Sequence, residues 1–125
     1  MSLETIRLSQ SARDQLIRLK RTTRIPTWNV LCRWALATSL RDDSVPLVRE
    51  VVTDSNIEMT WKTFAGQYSE IYRALLVHRC VSDGYEPDED GLSRTLTIHL
   101  HRGIGYLAAS KDLGGVQGLV ARVQG

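Results

Sequence analysis

Histidine and cysteine fall in two close pairs, His78 with Cys80 and His99 with His101, and these are the side chains best suited by type to hold a metal ion. Their spacing argues against it. Residues two apart on a helix diverge by about 200°, and structural zinc pairs usually leave at least two residues between ligands so that the chain can wrap the ion. His99 and His101 are instead expected on opposite faces of one helix, one satisfied in the core and the other near Arg102 at the surface. Nucleophilic catalysis needs a Ser or Cys activated by a base or a positive neighbourhood, yet no nucleophile-elbow pattern occurs. Both cysteines, Cys32 and Cys80, sit among apolar neighbours, as small buried hydrophobes do. The glycines of Gly103-Ile104-Gly105 and Gly114-Gly115 match neither the Walker nor the dinucleotide pattern. The acidic stretch Asp83, Glu86, Asp88, Glu89, Asp90 lacks the ligand spacing and terminal Glu of an EF-hand loop. No catalytic residue, no metal and no cofactor is therefore expected, and the chain does not read as an enzyme.

The other chemistry available is electrostatic. The 125 residues carry 16 Lys and Arg against 14 Asp and Glu, a net charge of +2. Residues 1–41 hold eight bases (Arg7, Arg13, Arg18, Lys20, Arg21, Arg24, Arg33, Arg41) against Glu4 and Asp14, net +6, which leaves −4 for residues 42–125. Such asymmetry favours a polyanionic partner on the basic side, although basic and acidic surfaces of two copies can also attract each other.

These residues have to be positioned by a modest core. The length fits one domain, 42% hydrophobic residues is too many for a disordered chain, and no apolar run approaches 18 residues, so no membrane span is expected. The start, MSLETIRLSQ, lacks the apolar region of a secretory signal, and two thiols make no disulfide scaffold, so the expected location is cytoplasmic. Thr5, Arg7 and Ser9 alternate with Ile6 and Leu8 as in a short strand, whose nearest available partner is the same strand of a second subunit. Ser9 or Ser11 caps a helix reaching about Thr23, with Ser11 and Asp14 spaced as a capping box. On its wheel Ala12, Leu16 and Leu19 form an apolar face beside an arc, about 100° wide, of Arg13, Lys20, Arg21 and Arg24.

Pro26 and Thr27 precede a second helix from Trp28 to about Leu40, apolar over most of its circumference and so central to a core or an interface. Residues 42–58 read as a loose or extended connection. Thr60 caps a third helix, with Trp61, Phe64, Ala65, Tyr68, Ile71, Tyr72, Leu75, Leu76 and Cys80 in unbroken helical spacing and Gly84 at its end. The acidic stretch is a surface loop leading into a helix over residues 92–109, and the tail from Ser110 is expected to fold back as a short packed element. The expected fold is mainly α: a short N-terminal strand followed by a helical domain. One domain spans 1–125, with a basic strand-helix-helix part over 1–41 and a helical remainder with an acidic loop over 42–125.

Three segments, LETIRLSQSARDQLIRLKRTTRIPTWNVLCRWAL, SNIEMTWKTFAGQYSEIYRALLVHRC and LTIHLHRGIGYLA, resemble the DndE family of DNA sulfur modification proteins, with NVLCRWA, EMTWKTF and HLHRGIGYL the most specific strings. The likeness runs from Leu3 to about Ala108. It implies a small non-catalytic member of the system that replaces a non-bridging phosphate oxygen of DNA with sulfur, the sulfur chemistry residing in companion proteins. It also implies a ribbon-helix-helix-like start, a homo-oligomer (dimer or tetramer), binding to duplex and nicked DNA, and contact with the other phosphorothioation proteins. Under that resemblance Arg7, with Thr5 and Ser9, is the strand-face candidate. Arg13, Lys20, Arg21 and Arg24 are expected to meet the DNA backbone, because phosphate binding needs clustered positive charge and tolerates imprecise placement. The alternatives are a scaffold that binds the modification enzymes without touching DNA, and a ribbon-helix-helix transcriptional repressor.

Overall fold

The computed structural model describes residues 3–110. The tail element expected after Ser110 lies outside that range. Strand β1 (Thr5–Arg7) leads into helices α1 (Gln10–Thr23) and α2 (Trp28–Arg41), then strand β2 (Glu58–Thr60), a short helix α3 (Trp61–Ala65), a single 3₁₀ turn (Gly66–Tyr68), α4 (Ser69–Ser82) and α5 (Glu89–Ala109). The mainly helical fold with a short N-terminal strand is as expected. No helix among the described residues is long and apolar enough to cross a membrane.

β1 does not wait for a second copy. It pairs antiparallel with β2 of the same chain, Thr5 opposite Thr60, Ile6 opposite Met59 and Arg7 opposite Glu58. Ile6 and Met59 turn inward to the core, while the other four side chains form the outer face. Residues 42–57 are otherwise without regular structure, and their return to β1 is anchored by Leu8 N–H to the Ile57 carbonyl at 3.2 Å and Ser55 N–H to the Leu8 carbonyl at 3.1 Å. The β2 strand went unseen in the sequence because three residues are too few for a period to register.

α1 starts at Ser9, whose hydroxyl accepts from Ala12 N–H at 3.1 Å. The Ser11–Asp14 capping box does not form; the Asp14 carboxylate accepts from the Gln10 side chain instead. Ala12, Leu16 and Leu19 are buried as their spacing requires. α5 is the central element, buried through Leu92, Leu96, Leu100, Ile104 and Leu107, and α2, α1 and α4 pack against it. At ~1.5–3 kcal/mol for each fully buried Leu or Ile, this column is the main source of stability. Asp88 caps α5 by accepting from Gly91 N–H at 2.8 Å, so the acidic loop does start a helix. Phe64 is fully buried between Trp61 and Tyr72, with ring centroids 5.7 and 5.4 Å away.

The third expected helix is two helices. Gly66 adopts φ 57°, ψ −134°, a conformation essentially confined to glycine, and turns the chain between α3 and α4. The freed carbonyls at the end of α3 are taken by Arg33 of α2, which donates to Phe64 O through Nε and to Thr63 O through Nη2. The bend rotates α4, so Leu76 and Cys80 face the core while Tyr68, Ile71 and Leu75, expected in the core, are exposed.

Candidate nucleic-acid interface

α1 brings four of the five sequence candidates together. Arg13 and Lys20 lie within about 20° on the helical wheel with Arg21 beside them, over about 12 Å of axis, roughly the rise of three to four nucleotides along one strand, and Arg24 follows at the C-cap. Arg21 and Arg24 are exposed, while Arg13 and Lys20 are half-buried. Arg13 has a neighbouring carboxylate, Asp14, at 3.6 Å. Lys20 Nζ rests 3.8 Å from the centroid of the Trp28 ring, which holds the cation in place. Arg24 ends the helix in the left-handed region, φ 62°, its N–H bound to the Lys20 carbonyl at 3.0 Å.

Arg7 stands apart from this group. It is on the outer face of the two-stranded ribbon and is ion-paired with Glu58 of β2 at 2.6 Å, so its charge is locally neutralised. Thr5 is exposed on the same face, whereas Ser9 is committed to capping α1. Sequence reasoning missed Trp28 as a support for Lys20, because that contact depends on the turn between α1 and α2. The start of α2 falls at Trp28 with Thr27 at the cap position, as the sequence indicated, but the Thr27 hydroxyl makes no capping bond.

The interior holds a serine, histidine and aspartate connected as in a hydrolytic triad. Arg102 Nε donates to Ser39 Oγ at 2.8 Å, so the Ser39 hydroxyl proton goes to His99 Nδ1 at 2.8 Å, and His99 Nε2–H donates to Asp83 at 2.7 Å. All three are buried. Burial holds the His99 imidazole below its ordinary pKa against the opposing pull of Asp83. Buried, and with Ser39 Oγ also accepting from a guanidinium, this chain of bonds clamps α2, α5 and the end of α4 together. Arg102 completes it by donating to the Ser39 and Asp42 carbonyls, at 2.8 and 3.1 Å.

His101 points to the other side of α5, as expected, but it is half-buried rather than a surface group near Arg102. Its Nε2 accepts from Ser9 N–H at 3.0 Å and its Nδ1–H donates to the Thr97 carbonyl at 2.6 Å, tying the start of α1 to α5. Desolvation lowers its pKa too. Cys32 and Cys80 are both free and buried. Burial pushes the Cys32 thiol up to about 12, and the Cys80 Sγ–H donates to the Glu86 carbonyl at 3.3 Å. Among the described residues no three His, Cys, Asp or Glu side chains converge on a point that would hold a metal.

A family model described as DNA sulphur modification protein DndE matches residues 5–114. The crystal structure of DndE from Escherichia coli B7A, involved in DNA phosphorothioation modification, superposes with a TM-score of 0.66 at 24% sequence identity, covering 86% of this chain and 99% of that one. At that identity the likeness is one of fold. A comparison with curated proteins gives no match.

Proposed function

The chain belongs to the DndE family of DNA sulphur modification proteins, and from that membership we propose that it is a non-catalytic, cytoplasmic accessory subunit that holds the phosphorothioation machinery on duplex DNA through backbone contacts. The observation that carries this reading is the basic group of Arg13, Lys20 and Arg21 on α1 with Arg24 at its C-cap, of which, among the described residues, Arg13 alone is ion-paired with a carboxylate. A cluster of this kind binds phosphates without selecting a base sequence. Nicked duplex is the favoured form, because a nick lets the backbone bend toward a short helix at little elastic cost. Arg7 is the auxiliary contact, available when DNA competes with Glu58 for its guanidinium.

The cysteines support a positioning role. A sulfur carrier needs an accessible thiolate, whereas Cys32 and Cys80 are buried and the Cys32 thiol resists ionisation. Self-association as a dimer or tetramer is supported by the apolar segment around Leu47, which is 98% exposed, with Val48 and Val52 beside it. The intramolecular β1–β2 pairing weighs against a repressor that would read bases with a ribbon shared between two copies.

The test is equilibrium binding to intact and nicked duplexes of random sequence between 50 and 200 mM salt, with the Arg13, Lys20, Arg21, Arg24 quadruple Ala variant alongside. Four phosphate contacts give a slope near −3.6 and about a 150-fold loss of affinity over that range; two such surfaces in a dimer give on the order of ten-thousand-fold. Absence of binding by the folded wild type would leave the scaffold reading.

A further inference from the structure

The Trp28 ring that seats Lys20 also lines an open cleft of about 360 Å³ between the start of α2 and strand β2. A volume of that size is in the range of small-ligand sites. Pro26, Ile57 and Met59 make the cleft largely apolar. Ile57 and Met59 belong to the core and are held there by the pairing of β2 with β1 and by the bond from Leu8 N–H to the Ile57 carbonyl, so this wall is fixed. Two polar side chains of the lining keep hydrogen-bonding capacity. The Thr27 hydroxyl makes no capping bond, and among the described residues Asn29 Oδ1 accepts no bond, while its Nδ2 reaches the Thr63 carbonyl at a long 3.4 Å.

Cations stand at both walls of the cleft. At the α2 wall Lys20 Nζ lies over Trp28, and Arg24 ends α1 two residues before Pro26. At the β2 wall Glu58 lines the cleft and is ion-paired with Arg7 at 2.6 Å, so its carboxylate comes with a guanidinium attached. A nucleotide combines what this lining asks for: a base with flat apolar faces and a polar edge, joined to negatively charged phosphates. Inside a duplex the faces of a base are stacked and its edge is paired, so only an unpaired base is free to enter. We propose that the cleft is a subsite for one unpaired base of DNA, which packs against Trp28 and turns its edge to Asn29 and Thr27 while the adjoining phosphates meet Lys20 and Arg24. The subsite rests on the phosphate-binding reading of α1 and adds to it a preference for DNA that carries a base out of its stack. An aromatic side chain of a partner protein is a poorer occupant, because it would cover the indole and bring no phosphate to the cations.

The test compares two duplexes in binding to the full-length protein, one with a single bulged thymidine and one with an abasic residue at the same bulge. Their backbones are alike, so any difference belongs to the base. The base-bearing bulge should bind at least about fivefold more tightly, the low end of what stacking on an aromatic ring contributes. The salt slopes of the two should be equal, because the base adds no phosphate contact. Trp28→Leu, which keeps an apolar side chain, should bring the ratio of the two affinities to about one. In the wild-type protein a 5-iodouracil at the bulge should crosslink on irradiation to the tryptic peptide of residues 25–33, whose one aromatic residue is Trp28.

Equal, salt-sensitive binding of the two bulges by the wild type would overturn the base subsite and leave the phosphate contacts of α1 standing. No binding of either duplex would remove both readings. A crosslink confined to other peptides, or an undiminished ratio in folded Trp28→Leu, would place the base elsewhere and refute the assignment of this cleft. Thymidine monophosphate that displaces the bulged duplex at concentrations comparable to the duplex itself would make the cleft a free-nucleotide site, which also refutes it.

Discussion

Gly103 of α5 lies directly against the Ala35 carbonyl of α2: a Cβ built on Gly103 would stand 1.7 Å from that oxygen. The two central helices therefore cross at a distance only glycine permits, and this crossing places the Ser39–His99 clamp one turn away. Gly103→Ala is expected to destabilise the protein by about 3 kcal/mol, because backbone rather than a flexible side chain would have to move. Gly105, two residues on, has open space where its Cβ would go. Gly105→Ala should stabilise by up to about 1 kcal/mol through helix propensity. Urea denaturation of the two variants distinguishes crossing geometry from a general aversion to alanine in α5.

Mild acid should loosen the fold through its buried histidines. His99 and His101 both have pKa values held below the ordinary 6.5, so the unfolded chain takes up protons before the native one does. Stability is then fully present above about pH 6.5 and falls as pH drops below it, by at most about 1.4 kcal/mol per pH unit for each histidine. The urea midpoint measured from pH 7.5 to 5.5 should decline, and less so in His101→Gln, which removes one of the two titrating groups. A flat midpoint in the wild type would contradict the assignment of both imidazoles as neutral.

Glu58 should act as a brake on Arg7. If the outer face of the ribbon approaches DNA, Glu58→Gln releases the Arg7 guanidinium and removes a repelling carboxylate. Affinity for nicked duplex should then rise, with the salt slope steeper by about 0.9. Arg7→Ala should cost less in the wild type than in the Glu58→Gln background. Equal costs would mean that Arg7 stays with DNA or away from it regardless of Glu58.

Both thiols should be inert in the folded protein. Iodoacetamide at pH 8 is expected to leave Cys32 and Cys80 unmodified, because one thiol is pushed up to about 12 by burial and both are out of reach. Mass spectrometry should show two alkylations after denaturation. Fast modification of either in the native protein would restore it as a candidate in sulfur chemistry.

What the sequence determined by itself was local. The faces of α1 and α5, the buried cysteines and the run of Arg13, Lys20 and Arg21 along α1 follow from helical spacing and residue type, which neighbouring residues enforce on one another; the choice of Ser9 over Ser11 as the cap of α1 did not. The fold class and the family strings were legible for the same reason. Tertiary structure decided what depended on partners far away in the chain. Arg7 meets Glu58 across 51 residues and Arg33 reaches the Phe64 carbonyl across 31. Neither contact leaves a mark in either local pattern. The stripe from Trp61 to Cys80 reads as one helix because periodicity does not register that Gly66 takes a backbone angle that rotates everything after it. Ile71 and Leu75, which fall on the apolar stripe of that single helix, are exposed in the folded chain.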